Sequence, residues 1–366
     1  MSVTLAVVGD VAFAGPLGQD PIGAVRSIDP RVRGLLAADI LVANLEYAMT
    51  DVAPHSGCEF DLYGPPESVH ALKDLGINAV SLANTHALDC GARGLALTRR
   101  TLQQAGIGFF GAGLNYREAC QPLLLDCKGL RLGFLAFHGG KVATARRAGS
   151  LPLDWGPSRQ LIRRTQRECD FLMVYFHNGV EAFNYPMTQT IKECHAAVEA
   201  GADLVVGTHP HTVQGMEFHR GAAIVYSVGN FIIRQVMPGF FERWAAQTDL
   251  TLLGMPIEHE TIRKALVVHC NVVAPRKAEV QCVPIRLQDT GLPEAIEAED
   301  YAKAMRFFQQ ISEPLKHPED PIWRGVQEVE RRYWRLQYRQ YPWLRILTHF
   351  YRIRWRHILH LFKTLK

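Results

Sequence analysis

From the first residues to about position 208, short runs of β-branched and aliphatic residues alternate with stretches whose apolar positions recur every three or four residues. The runs predict strands over 3–8, 40–42, 78–82, 107–110, 122–126, 130–137, 171–176 and 203–206. The periodic stretches predict helices over 32–38, 67–75, 94–105, 158–167 and 188–200. Strands alternating with helices imply βαβ units and sheets covered on both faces. Beyond Thr208 the helices drop out and strands follow one another at 213–218, 223–227, 248–253, 265–273 and 280–284, which suggests an antiparallel addition to a second sheet. Loops are expected near 154–157, 238–241 and 288–293. Residues 1–290 read as one α/β domain. Residues 291–366 read as a helical appendage, beginning in earnest near Tyr301 and broken at Pro314, Pro318 and Pro342, since proline removes a donor and clashes one turn back.

The chain has 366 residues, 48% of them hydrophobic, which is ample for a sizeable core. Its formal charge of +4 is unevenly spread: residues 323–366 hold eleven Lys and Arg against two Glu, and the rest of the chain holds 29 basic residues against 34 acidic ones. The basic character belongs to the tail. The eight cysteines form no C-x-x-C pair and no dense cluster, so they are expected to be reduced and mostly buried. No signal-peptide pattern opens the chain and no apolar run reaches transmembrane length, which points to the cytoplasm.

Polar groups of ligand type recur immediately after the predicted strands: Asp10, then Asn44 and Glu46, then Asn84 and His86, then His177 and Asn178, then His209 and His211. Sites in open α/β sheets form at the carboxyl ends of strands. Each residue alone has an ordinary alternative. Asp10 could cap a turn, Glu46 could be a solvated loop charge, and His177 could be a hydrogen-bonded core residue. His209-Pro210-His211 is more specific, because it sets two imidazoles at a rigid turn where they can face one ion. Imidazole and carboxylate together suit a divalent transition metal, Zn, Mn or Fe, able to polarise a phosphoryl or carbonyl oxygen. The chain lacks the G-x-G-x-x-G, G-x-x-x-x-G-K-[ST] and G-x-S-x-G patterns, so nucleotide-cradle and serine-hydrolase chemistry lose ground. His138, His195, His219, His259 and His269 have no partner at ligand spacing and default to core or surface roles. Lys141, Arg146 and Arg147 follow a strand and could contact an anionic substrate, or simply be a solvated loop.

These segments resemble the bacterial capsule synthesis protein CapA family, the poly-gamma-glutamate capsule proteins. The resemblance spans about residues 3–233 and rests on Val8-Gly9-Asp10, Ala43-Asn44-Leu45-Glu46, the run from Ser81 to Gly91, Phe176-His177-Asn178-Gly179-Val180-Glu181, and above all the run from Gly201 to Phe231. It implies a four-layer α/β/β/α metallophosphoesterase-like sandwich. It also implies that Asp10, Glu46, His86, His177, His209 and His211 converge, with Asn44, Asn84, Asn178 and Asn230 in support. In that arrangement Asp10, Glu46, His177, His209 and His211 hold one or two ions, while His86 and Asn84 serve the chemistry. Three departures stand out. Ala12 occupies the place of the second ligand in an Asp-x-His start. Thr85 stands where the family commonly has Asn, and Asn178 stands where it commonly has Trp. The amino-terminal membrane anchor of many members is not read in this chain.

The function implied is a metal-dependent hydrolase or transferase in capsule or related surface-polymer biosynthesis, acting on an anionic or lipid-linked polymer precursor. A non-catalytic component of a membrane-associated synthesis complex is the other reading. The tail interleaves Arg345, Arg352, Arg354 and Arg356 with aromatic and aliphatic residues, which suits either the inner membrane face or packing on the catalytic domain. Nucleic acid is a poor match, since no recognition motif is present.

Overall fold

The computed structural model describes residues 2–54, 57–153 and 155–340. Two sheets stack face to face between helical layers. The first sheet has the order Pro293–Ala295, Lys277–Leu287, Lys264–Ala274, Val3–Val11, Ile40–Leu45, Ile77–Ser81 and Gly108–Phe110, with Asn230–Ile232 pairing onto Val3–Val11 outside that path. The second has the order Val213–His219, Ala222–Val228, Leu204–Thr208, Phe171–His177, Leu130–His138 and Leu123–Cys127. The central strands are parallel in both.

Period-two alternation builds the layers. In the first strand Val3, Leu5 and Val7 enter the core between the sheets, while Ala6 and Val8 face the helices Pro21–Arg26, Pro30–Leu35, Val69–Asp74 and Gly91–Ala105. In the strand Phe171–His177, residues Phe171, Met173 and Tyr175 enter the same core. Leu172, Val174 and Phe176 face the helices Trp155–Gln166 and Thr188–Ala200. The three hydrophobic clusters are therefore the three spaces of an α/β/β/α sandwich. Tyr175 ties the sheets together by donating to the Val8 carbonyl at 3.0 Å.

Some elements differ from expectation. The segment 248–253, expected as a strand, holds the helix Asp249–Leu252. The Thr248 hydroxyl caps it by accepting from Thr251 N at 3.3 Å, and Asp249 sits in its first turn, so local capping favours the helix. The loop expected at 238–241 runs into the helix Phe240–Ala245. The late strands join both sheets: Val213–His219 extends the second, while Lys264–Ala274, Lys277–Leu287 and Pro293–Ala295 extend the first.

The position 290 lies between two strands that pair with each other, Lys277–Leu287 and Pro293–Ala295. The helix Ala298–Ser312 sends Phe308 and Ile311 into the core between the sheets. The helix Ile322–Gln340 buries Trp323, Val326 and Val329, and Trp323 Nε1 donates to the carbonyls of Pro314 at 3.1 Å and His317 at 3.0 Å. Glu330 of that helix accepts from Gln189 N at 3.3 Å. The start of the basic tail thus packs on the body, whereas its residues 341–366 lie outside the described residues. No helix of the described residues is long and apolar enough to cross a membrane, and none of the eight cysteines forms a disulfide among the described residues.

Candidate metal centre

The site forms where the parallel strands of both sheets end. Asp10 closes the first strand in register with Asn44 on one side and Asn230 on the other. Gly9 makes this approach possible, since a Cβ there would lie 1.8 Å from the Gly229 carbonyl oxygen. From the second sheet, His177 ends its strand in register with Thr208 and His138. Packing the two sheets brings their ends together, so that Asp10, Glu46 and His177 offer ligand atoms all within 4.8 Å of one another. All three side chains are fully buried.

His177 Nε2 lies 3.2 Å from Glu46 Oε1, and its Nδ1 lies 3.0 Å from the Thr208 hydroxyl. The His209 ring is 4.8 Å from the His177 ring, and His211 Nδ1 is 3.3 Å from Asp10 Oδ2. His209 and His211 both adopt left-handed backbone, with φ of 97° and 55°. Such conformations cost about 1–3 kcal/mol each in non-glycine residues and persist only where the surroundings impose them. Here Asn230 clamps the turn, its Oδ1 accepting from His211 Nδ1 at 2.8 Å and its Nδ2 donating to the His211 carbonyl at 3.1 Å and the Ile262 carbonyl at 3.2 Å. Trp244 packs edge-on against the His211 ring.

Asn44 donates to Asp10 Oδ1 at 2.8 Å and accepts from Asn84 Nδ2 at 3.1 Å. Asn84 also donates to the Leu45 carbonyl at 2.8 Å and accepts from the backbone of His86 at 3.1 Å and Ala87 at 2.9 Å. Its amide is fully engaged in holding the two loops together. His86, 16% exposed, is gripped through Nδ1 by Asp89 Oδ2 at 2.6 Å. The Asp89 carboxylate is only 3% exposed and takes Lys141 Nζ at 2.9 Å on its other oxygen. Burial would raise the Asp89 carboxyl, but the hydrogen bond from His86 and the charges of His86 and Lys141 outweigh it and hold it below the usual range.

The remaining sequence candidates lie apart from this cluster. Asn178 turns to Glu193 on the neighbouring helix, with Nδ2 to Oε2 at 2.9 Å. Arg146 and Arg147 are exposed on the loop after His138, where Arg147 reaches back to the Val142 carbonyl at 3.4 Å. Lys141 sits in the same loop but is held by Asp89. His138 takes the core role expected of it, but beside the cluster: its ring stands 5.2 Å from that of His177, and its Nδ1 donates to the His177 carbonyl at 2.8 Å. Burial pushes its imidazole down to about 4. Its signal in the sequence was its place directly after a strand, the same place that marks His177. Asp89 and Glu181 were passed over, although both fall inside the segments that carry the family resemblance.

Electrostatics show what the cluster lacks. Burial, then the neighbouring Asp10 carboxylate, pushes Glu46 well above the usual carboxyl range. Burial and the surrounding imidazoles push His177 and His209 well below theirs. Burial also pulls His211 down, but Asp10 outweighs it and leaves that imidazole above its ordinary value. Asp10 Oδ2, both Glu46 oxygens and His209 Nδ1 are buried with no well-formed hydrogen bond, Asp10 Oδ2 having only His211 at 3.3 Å and Glu46 Oε1 only His177 at 3.2 Å beside it. Carboxylate oxygens and a lone-pair nitrogen left without well-formed hydrogen bonds in a dry site are costly, and a cation among them would relieve that cost. The donor set therefore fits a divalent metal. Ala12, buried and two residues beyond Asp10, offers no donor for a second ion.

The model of the bacterial capsule synthesis protein family PGA_cap matches residues 4–235. The capsule biosynthesis protein CapA of Bacillus anthracis is 33% identical over 177 residues, covering 46% of this chain and 43% of that protein. The PGA biosynthesis protein CapA of Bacillus subtilis is 30% identical over 206 residues, 54% of each. A probable polyglutamine synthesis accessory protein of Mycobacterium tuberculosis is 26% identical over 220 residues, covering 54% of this chain and 56% of that one. The chain spans about half the length of these curated relatives. Among solved structures, one described as a novel phosphatase from Mycoplasma pneumoniae superposes with a TM-score of 0.52 at 16% identity, over 78% of this chain and 94% of that one, which is a likeness of fold. With well over half of its residues matched by the family model, and with the sandwich and the strand-end cluster in place, the chain belongs to the bacterial capsule synthesis protein family.

Proposed function

We propose that the protein is a metal-dependent hydrolase or transferase in capsule or related surface-polymer biosynthesis, acting on an anionic or lipid-linked polymer precursor. The observation that carries this is the set of buried ligand atoms on Asp10, Glu46 and His209, gathered around His177 and lacking well-formed hydrogen bonds. Carboxylate and imidazole donors suit Zn, Mn or Fe. Asp10, Glu46 and His177 would hold the ion with His209 and His211 beside them, and the absence of a donor at Ala12 favours one ion over two. Such an ion supplies Lewis-acid polarisation of a phosphoryl or carbonyl oxygen.

The chain's own residues supply the rest. Asp89 occupies His86 Nδ1, which leaves Nε2 as the nitrogen able to pass a proton to a leaving-group oxygen. Asn84 fixes the loop that carries His86, and Asn44 orients Asp10. Asn230 fixes the His211 tautomer with the proton on Nδ1.

The test is elemental analysis of the purified full chain together with turnover of bis(p-nitrophenyl) phosphate after loading with Zn, Mn or Fe. Metal retained with turnover supports the enzyme. Metal-free protein, or protein that binds metal and turns over no phosphate or carboxylate ester, points instead to a non-catalytic component of a polymer-synthesis complex.

A further inference from the structure

The surface beside the metal centre carries a charge pattern that this chemistry does not use. From Tyr116 to Arg167 the sequence holds ten Lys and Arg against three Asp and Glu, although residues 1–322 as a whole hold 29 against 34. Lys128 and Arg131 are paired with Asp39 and Asp126 at the 127–130 turn, while Arg117, Lys141, Arg146, Arg147, Arg163 and Arg164 fall on one flank of the second sheet. The Thr144 carbonyl, in the loop that bears Lys141, Arg146 and Arg147, accepts from Tyr116 N at 2.8 Å and so seats the short helix Tyr116–Ala119 against that loop. Tyr116 and Arg117 then form one wall of a cleft of about 800 Å³, and Gln160, Leu161 and Arg164 of the helix Trp155–Gln166 form the other. Arg163 stands exposed on that same helix.

Arg117, Arg146 and Arg163 make no ion pair among the described residues, and Arg164 has only a distant carboxylate, Glu168 at 3.9 Å. Lys141 connects this surface to the catalytic mouth through Asp89 and His86. Like charges grouped on an otherwise acidic body create a local positive potential, and a cleft concentrates it. The next cleft along, about 380 Å³ and lined by Asp126, Arg131, Arg167, Glu168 and Asp170, has more carboxylates than guanidiniums, so the basic surface stops before it.

We propose that this flank is a docking track for a linear polyanion, a chain bearing carboxylates or phosphates at intervals, that runs from the cleft between Arg117 and Arg164 past Arg146 to the mouth at Lys141. It rests on the reading of the site as one acting on an anionic polymer precursor, and extends that reading from the reacting group to the chain behind it. The concave shape favours a chain over a membrane, because a bilayer needs apolar side chains projecting from a face.

Binding of the full chain to long-chain poly-L-glutamate and to inorganic polyphosphate, followed by calorimetry at low salt, tests the track and tells carboxylate from phosphate. The triple variant Arg117→Glu, Arg146→Glu, Arg164→Glu should weaken binding by roughly tenfold or more, while Arg26→Glu, Arg93→Glu, Arg100→Glu on the opposite helical layer should change it by less than about twofold. Equal loss in both variants would make the binding unspecific. Full binding by the first variant would place it elsewhere, on the basic tail for example, and no binding by the wild type, or sedimentation with phosphatidylglycerol vesicles in place of polymer binding, would equally overturn the proposal. The readout is separate from catalysis: protein that holds no metal and turns nothing over, yet binds the polymer through these arginines, sinks the enzyme reading and leaves the track standing.

Discussion

Asn230 holds His211 by both ends of its amide, accepting from the ring at Nδ1 and donating to the carbonyl of the same residue, at 2.8 and 3.1 Å. One side chain thereby fixes both the ring orientation and the left-handed backbone of a residue at the metal centre. Because Asn230 is also in register with Asp10, the clamp ties the two halves of the site together.

Replacing Asn230 with Ala leaves the His211 and Ile262 carbonyls without the amide that donates to them and the His211 ring with Asp10 alone at Nδ1. Each unsatisfied group costs about 1–3 kcal/mol, and loss of such an outer partner typically weakens metal affinity about 10- to 100-fold. Urea denaturation and metal titration should report both losses. Unchanged affinity with lowered stability would make the clamp purely structural.

The double variant His209→Asn, His211→Asn should lose the metal. Asparagine tolerates the left-handed backbone better than alanine would, so the turn can survive while two nitrogen donors are removed. Elemental analysis alongside circular dichroism checks the outcome. Full metal content in a folded variant would refute the assignment of this site.

His86→Ala should lower turnover by about 10²- to 10⁴-fold, the usual contribution of a positioned acid or base, while metal content changes little. Asp89→Asn should lower it less, since the imidazole remains but its orientation and tautomer are no longer set by a carboxylate. Parallel assays of kcat and bound metal separate this from a ligand role, in which both would fall together.

Truncation separates the two parts of the tail. Ending the chain after residue 322 removes Trp323, Val326 and Val329 from the surfaces they bury, at roughly 1.5–3 kcal/mol for each large apolar side chain, and should lower the melting temperature clearly. If the tail binds membranes through residues 341–366, ending the chain after residue 340 alone abolishes sedimentation with anionic liposomes at low salt. Sedimentation that persists, or that the full chain never shows, rules out that role.

Much of the fold could be read from local pattern, because strand and helix periods are written in neighbouring residues. The alternation through Phe171–His177 already separates the residues facing the opposite sheet from those facing the helices, and Asp10, Glu46 and His177 announce themselves by following strands. The segment 248–253 alternates Thr, Leu and Asp without a clear period, and its cap at Thr248 decides for a helix by geometry. The place of His138 beside the site is not legible locally. A single imidazole after an apolar strand is ordinary until pairing register places it beside His177. Lys141 likewise looked like a free cation until the loops met and Asp89 took its charge. The sequence by itself determined the elements, their buried faces and the kinds of ligand at their ends. Only the tertiary structure decided which of those ends converge, because strand order, register and the stacking of two sheets arise from contacts between residues far apart in the chain, to which no local period refers.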